Sequence, residues 1–126
     1  MKYRIESDSI GEMKVNAAVY YGVQTQRAIE NFDISRIKVS DYPELVRALG
    51  MVKLAAARAN YDLGLLPKDI FKAIEAACKR VIAGEFNDQF PVDMIQGGAG
   101  TSTNMNANEV IANIALESLG KEKGDY

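Results

Sequence analysis

The strongest chemical signal in the chain lies in residues 96–110, where three glycines precede a run of hydroxyl and amide side chains. The glycines predict a flexible loop, and the apolar spacing after them predicts a helix that begins near Thr101. A helix N-terminus offers unpaired backbone N–H groups and a partial positive charge, and both favour small anions. The segment therefore predicts an anion site. A turn or a close-packing point without a ligand is the alternative interpretation.

The same segment favours a carboxylate over a nucleotide. It lacks the lysine that follows the second glycine of a nucleotide-binding P-loop. It also lacks the G-x-G-x-x-G spacing after a strand that holds dinucleotides. The hydroxyl of Thr101 is a further donor suited to a small carboxylate.

Three asparagines follow the hydroxyl residues, although asparagine is a poor helix former that prefers caps and turns. Asn104 and Asn108 are four residues apart and share a helix face, whereas Asn106 points elsewhere. Together with Ser102, the first two are predicted to line a polar cavity beside the glycines. The alternative is that one asparagine caps the helix and the others are solvated.

Composition narrows the possible classes of function. The chain has 126 residues, with 15 basic residues scattered among 17 acidic ones and a net charge of −2, which does not suggest a nucleic-acid partner. There is no apolar run long enough to span a membrane, and the opening Met1-Lys2-Tyr3-Arg4 does not resemble a signal peptide. We therefore expect a cytoplasmic protein that does not associate with membranes.

The chain contains no histidine, which argues against nucleophilic triads and most zinc sites. Its single cysteine, Cys78, lies on a predicted apolar helix face and is interpreted as a buried core residue. Asp88 and Asp93 have no further patterned oxygen ligands near them in sequence. We expect neither a metal nor another cofactor.

The fold is predicted to be mainly α-helical, with about three main helices and an irregular N-terminal arm, residues 1–20, that is compatible with short strands. A short helix is predicted from Gln24 to Asn31, and the main helices over residues 43–62, from Pro67 to Gly84, and from the 101–104 region to Gly120. The helix over residues 43–62 is expected to bury Leu45, Leu49, Val52, Ala56 and Ala59.

Three blocks of residues, in order, are similar to the N-terminal part of the aspartase/fumarase superfamily. They are Arg4-x-Glu6-x-Asp8-x-x-Gly11, then Tyr21-Gly22-x-Gln24-Thr25-x-Arg27-Ala28 with Glu30-Asn31-Phe32, and Gly100-Thr101 with Asn104-Met105-Asn106-x-Asn108-Glu109-Val110. The resemblance spans essentially the whole chain. It implies that residues 1–126 form an N-terminal lyase domain, truncated before the family's central helix bundle and C-terminal domain.

Within the superfamily, the chain resembles aspartate ammonia-lyases more than class II fumarases. Class II fumarases usually carry Gly-Ser-Gly-Thr-Gln after a Trp-Gln-Thr, whereas this chain reads Ile95-Gln96-Gly97-Gly98-Ala99-Gly100-Thr101-Ser102 and has no tryptophan. The resemblance implies reversible deamination of L-aspartate to fumarate and ammonia through an aci-carboxylate. Hydration chemistry between L-malate and fumarate is the near alternative, and a non-catalytic helical binding or assembly module is the other.

The resemblance also implies roles for particular residues. Thr101 matches the position that hydrogen-bonds the substrate carboxylate, and Ala99 and Gly100 would contribute backbone to the same dicarboxylate. The family's catalytic base is a serine on a downstream loop that nothing in this chain matches, so no catalytic residue is expected here and the chain alone is predicted to be inactive. The resemblance further implies that the full-length form is a homotetramer in which three subunits build each active site.

Overall fold

The computed structural model describes residues 1–126, and the chain begins with a β-hairpin followed by helices. Strand β1 (Tyr3–Asp8) pairs antiparallel with β2 (Gly11–Asn16), in a register that places Tyr3 opposite Asn16 and Asp8 opposite Gly11. The Asp8 carboxylate accepts hydrogen bonds from the backbone N–H groups of Ile10 and Gly11 and so closes the turn. The N-terminal arm compatible with short strands is therefore a regular hairpin.

Four α-helices follow the hairpin, and they are α1 (Val23–Asn31), α2 (Pro43–Asp62), α3 (Lys68–Ile82) and α4 (Thr101–Ser118). The three predicted main helices and the short one are confirmed. The predicted ends of α2 are confirmed as well, since Pro43 occupies its start and left-handed Gly64 follows its last turn. Two short 3-10 helices, Val39–Asp41 and Asn87–Gln89, were not predicted. None of the helices has the length and hydropathy needed to cross a membrane.

The core lies where α3 packs between α2 and α4. The fully buried apolar side chains of this core include Phe90, Ile114, Val39, Val46, Val81, Val92 and Val110. Cys78 is fully buried in the same core, as predicted, and burial raises the pKa of its thiol to about 11. The thiol is therefore a packing group rather than a reactive one.

The predicted inner face of α2 is wrong in part. Val52, Ala56 and Ala59 are exposed, whereas Val46, Gly50 and Ala57 are the buried residues of this helix. At Gly50 an added Cβ would come within 2.9 Å of the Ile82 side chain, so glycine is what lets α2 and α3 approach closely.

Candidate functional site

The candidate site is the glycine loop, residues 97–100, together with the first turn of α4. Three consecutive residues of the loop have left-handed backbone conformations, with φ of 88° at Gly98, 54° at Ala99 and 86° at Gly100. Glycine adopts this conformation without steric cost, but alanine does so only where the surroundings hold it. The loop is solvent-exposed, and Gly97 lies near the Phe32 ring just after α1.

Several backbone donors of this segment have no acceptor within the chain. The Thr101 N–H donates to the Gly98 carbonyl at 3.1 Å, but those of Ala99, Gly100 and Ser102 donate to no protein acceptor. Unpaired N–H groups at a helix N-terminus are the arrangement that binds carboxylates and phosphates. The loop therefore presents exposed backbone N–H groups of the kind that can bind a small anion.

The hydroxyl of Thr101 belongs to the same group but is already engaged. Its Oγ1 donates to the Gly98 carbonyl oxygen at 2.6 Å, and the residue is exposed at the start of α4. A bound carboxylate would compete with that carbonyl for the hydroxyl proton, since a charged acceptor makes the stronger hydrogen bond. Thr101 can thus donate to a ligand by a rotation of one side-chain torsion.

The three asparagines at the start of α4 lie in different surroundings. The Asn104 amide oxygen accepts a hydrogen bond from Lys53 Nζ on α2, whereas Asn108 borders a cavity of about 250 Å³ between α2, α3 and α4. Lys53 also lines that cavity, but Ser102 and Asn104 do not. Asn106 points into the core, where its amide donates to the Gln89 carbonyl at 2.8 Å.

Gln96 is a residue of this site that the sequence analysis missed. Its side-chain amide bridges the two ends of the glycine loop, because it contacts both the Asp93 carbonyl and Thr103 in the first turn of α4. The only signal in the sequence is its place immediately before the glycines, which does not reveal the direction of its side chain.

Asp93, three residues earlier, fixes the base of the loop. Its buried carboxylate accepts hydrogen bonds from the backbone N–H groups of Ile34, Ser35 and Arg36 and from the Ser35 hydroxyl. Burial alone would raise the pKa of Asp93, but these donors outweigh it and hold the pKa well below its usual range. Asp93 is therefore a carboxylate that is charged at neutral pH and anchors the loop.

A second group of carboxylates is buried at the N-terminus of α1. Glu6 accepts a hydrogen bond from the Val23 N–H, and Glu109 accepts two from Thr25 and one from the Gln24 N–H. Burial, reinforced by the charge of Glu6, raises the pKa of Glu109 although its donors oppose the shift. These carboxylates satisfy helix donors and so tie the hairpin, α1 and α4 together.

No group of three His, Cys, Asp or Glu side chains lies close enough to hold a metal ion. The carboxylates near the glycine loop are instead occupied by backbone donors, as at Asp93.

Comparison with known proteins identifies the family of the chain. A family model described as lyase matches residues 11–125. The aspartate ammonia-lyase of Pseudomonas aeruginosa is 63% identical over 98% of this chain, and that of Escherichia coli K12 is 59% identical over 98%. A fumarate lyase:delta crystallin from Brucella melitensis, solved with cobalt, superposes over 99% of this chain and 27% of its own, with a TM-score of 0.98 and 56% identity.

The fold thus defines a domain of the fumarase/aspartase kind, and the chain belongs to the lyase family. Its relatives at this level of identity are chiefly aspartate ammonia-lyases. The chain spans about a quarter, 26%, of the length of these curated relatives.

Proposed function

We propose that this chain is the N-terminal lyase domain of an enzyme that reversibly deaminates L-aspartate to fumarate and ammonia. The glycine loop and Thr101 would bind the substrate carboxylate beside the carbon that loses its proton. The observation that carries the proposal is the set of free N–H groups at Ala99, Gly100 and Ser102, at the N-terminus of α4. The aspartate ammonia-lyases at 59% and 63% identity support an enzyme of the lyase family, and the sequence of the glycine loop supports the choice of L-aspartate.

The chemistry follows from the charge that develops on this carboxylate. When a base removes the proton from the adjacent carbon, the bonding pair moves into the carboxylate and makes an aci-carboxylate with a second negative charge. That electron pair then forms the carbon–carbon double bond as ammonia leaves. Donors fixed in advance around the developing charge supply the largest share of such catalysis.

The base itself lies outside residues 1–126 in this proposal, as does the remainder of the active site. We propose that the base is a serine on a loop outside this segment, as the resemblance implies, and that the assembly is a cytoplasmic homotetramer in which three subunits contribute to each site. Ser102, Asn104 and Asn108 are proposed to line the pocket once those neighbours are present. Sedimentation of the whole protein tests the tetramer directly.

Hydration of fumarate to L-malate is the second candidate, and one specific relative favours it. A class II fumarate hydratase of Halobacterium salinarum is 63% identical over 98% of this chain, as similar as the aspartate ammonia-lyase of Pseudomonas aeruginosa. Overall identity therefore does not separate the two substrates. The glycine loop sequence is what favours aspartate.

The test is fumarate formation by the protein expressed from its complete reading frame, followed by ultraviolet absorbance with L-aspartate and L-malate in parallel. We expect fumarate from L-aspartate only. Fumarate from L-malate only would replace the proposal by the second candidate, and no product from either substrate would overturn both.

A further inference from the structure

Gln96 and Thr103 stand at the two ends of the glycine loop, and their side chains meet behind it. Gln96 Nε2 donates to Thr103 Oγ1 at 2.8 Å, and Gln96 Oε1 accepts a hydrogen bond from the Thr103 backbone N–H at 3.0 Å. The same Nε2 donates to the Asp93 backbone oxygen at 2.9 Å. Both N–H bonds and the carbonyl oxygen of the Gln96 side-chain amide are thereby hydrogen-bonded.

These contacts replace a missing helix cap. Gly100 is the N-cap of α4 and has no side chain, so it cannot accept a hydrogen bond from the first turn. Thr103 is the third residue of α4, and its N–H would have no partner without Gln96. Gln96 pairs that inner N–H and leaves the donors of Ala99, Gly100 and Ser102 open.

The hydrogen bonds that join Gln96 to Thr103 and to the Asp93 carbonyl, called the clamp below, are themselves anchored. Asp93, whose carbonyl receives the Gln96 amide, is held by backbone donors of Ser35 and Arg36. A loop with three left-handed residues would otherwise sample many conformations. Gln96 joins the anchored end of the loop to the rigid helix end, so the open donors keep one arrangement.

We propose that Gln96 is a positioning residue for the carboxylate site. It sets the glycine loop so that the free N–H groups and the Thr101 hydroxyl converge on one carboxylate, without touching the substrate itself. This inference rests on the proposed function of that site. Misplacing such donors by about 1 Å costs on the order of a hundredfold in rate.

Four variants of the whole enzyme test the role. Gln96→Ala removes every contact of the clamp, and Thr103→Val removes only the hydroxyl acceptor while keeping the shape of the side chain. Thr103→Ser restores a hydroxyl at that position. Gln26→Ala is the matched control, because Gln26 makes a single exposed side-chain contact, with Glu30 on α1.

The decisive readout is kinetic, on whichever of L-aspartate and L-malate the parent converts. We expect Gln96→Ala to lower kcat/KM on the order of tenfold to a hundredfold. Most of the loss falls on kcat, since the donors act most strongly on charge that develops in the transition state. Thr103→Val shows a smaller loss that Thr103→Ser recovers, and it adds little to Gln96→Ala because the contact is already gone.

Hydrogen exchange measured by mass spectrometry on the same proteins reports how readily the hydrogen bonds of the Thr101 and Thr103 N–H groups open. Peptides covering residues 97–103 are expected to exchange faster in Gln96→Ala and at the parent rate in Gln26→Ala. Loss of thermal stability with unchanged kcat and KM per folded enzyme, or unchanged exchange, would overturn the inference and leave the proposed function intact. A parent inactive on both substrates would overturn the proposed function itself.

Discussion

Glu109, halfway along α4, caps the first turn of α1 by accepting hydrogen bonds from the Thr25 backbone N–H at 2.8 Å and from the Thr25 hydroxyl at 2.7 Å. The two residues lie 84 positions apart in the sequence and join α1 to α4. Both residues are buried, so neither partner can exchange the other for water without opening the fold.

We expect Glu109→Ala to destabilise the protein by roughly 2–4 kcal/mol, because it leaves the buried donors of Gln24 and Thr25 without an acceptor. Urea unfolding monitored by circular dichroism measures the change. Glu122→Ala is the control, since Glu122 is exposed. Equal midpoints for the two variants would show that the cap contributes nothing.

Gly22 should not tolerate a side chain. A Cβ added there would overlap the carboxylate oxygens of both Glu109 and Glu6. Gly22→Ala is expected to destabilise the fold by about 1–3 kcal/mol, the usual cost of overpacking. Gly97→Ala is the comparison for stability, because its added Cβ would lie 3.8 Å from the nearest atom of Phe32. Thermal unfolding that ranks Gly97→Ala as the less stable would refute the packing argument.

The lowered pKa of Asp93 predicts that the protein loses stability in acid. The pKa of Asp93 is depressed in the folded state, so its contribution to the free energy of unfolding is fully present above the unfolded pKa of about 4. That contribution is lost as the pH falls through the lower folded pKa. Asp93→Asn should lower the melting temperature at neutral pH and flatten its decline below about pH 4. Exposed Asp125 provides the control, Asp125→Asn. Parallel pH profiles for parent and Asp93→Asn would contradict the assignment.

Removal of the Thr101 hydroxyl is expected to lower kcat. A hydrogen bond to a charged group contributes roughly 1.5–3 kcal/mol. Thr101→Val is therefore expected to lower kcat of the whole enzyme about tenfold to a hundredfold. Thr101→Ser keeps the hydroxyl and should retain most of the activity. Unchanged kinetics in Thr101→Val would remove Thr101 from the carboxylate site.

The helices were predictable because their signals are local. Pro43 at the start of α2 and Gly64 after its end mark boundaries that any context would respect. The face that α2 buries was less predictable, since Val52 continues the apolar spacing yet is exposed. Which residues a helix buries depends on where its neighbours lie, and Gly50 is buried because α3 passes there.

The sequence alone predicted the location of the candidate site, because glycines before a helix start leave unpaired donors in almost any fold. Only the tertiary structure decided which of those donors stay free. The Gln96 side chain accepts a hydrogen bond from the Thr103 N–H. The Asp93 carboxylate accepts hydrogen bonds from the N–H groups of residues 34–36, which lie 57 to 59 positions away in the sequence. Such contacts depend on the direction of side chains and on distant loops, which spacing along the chain does not encode.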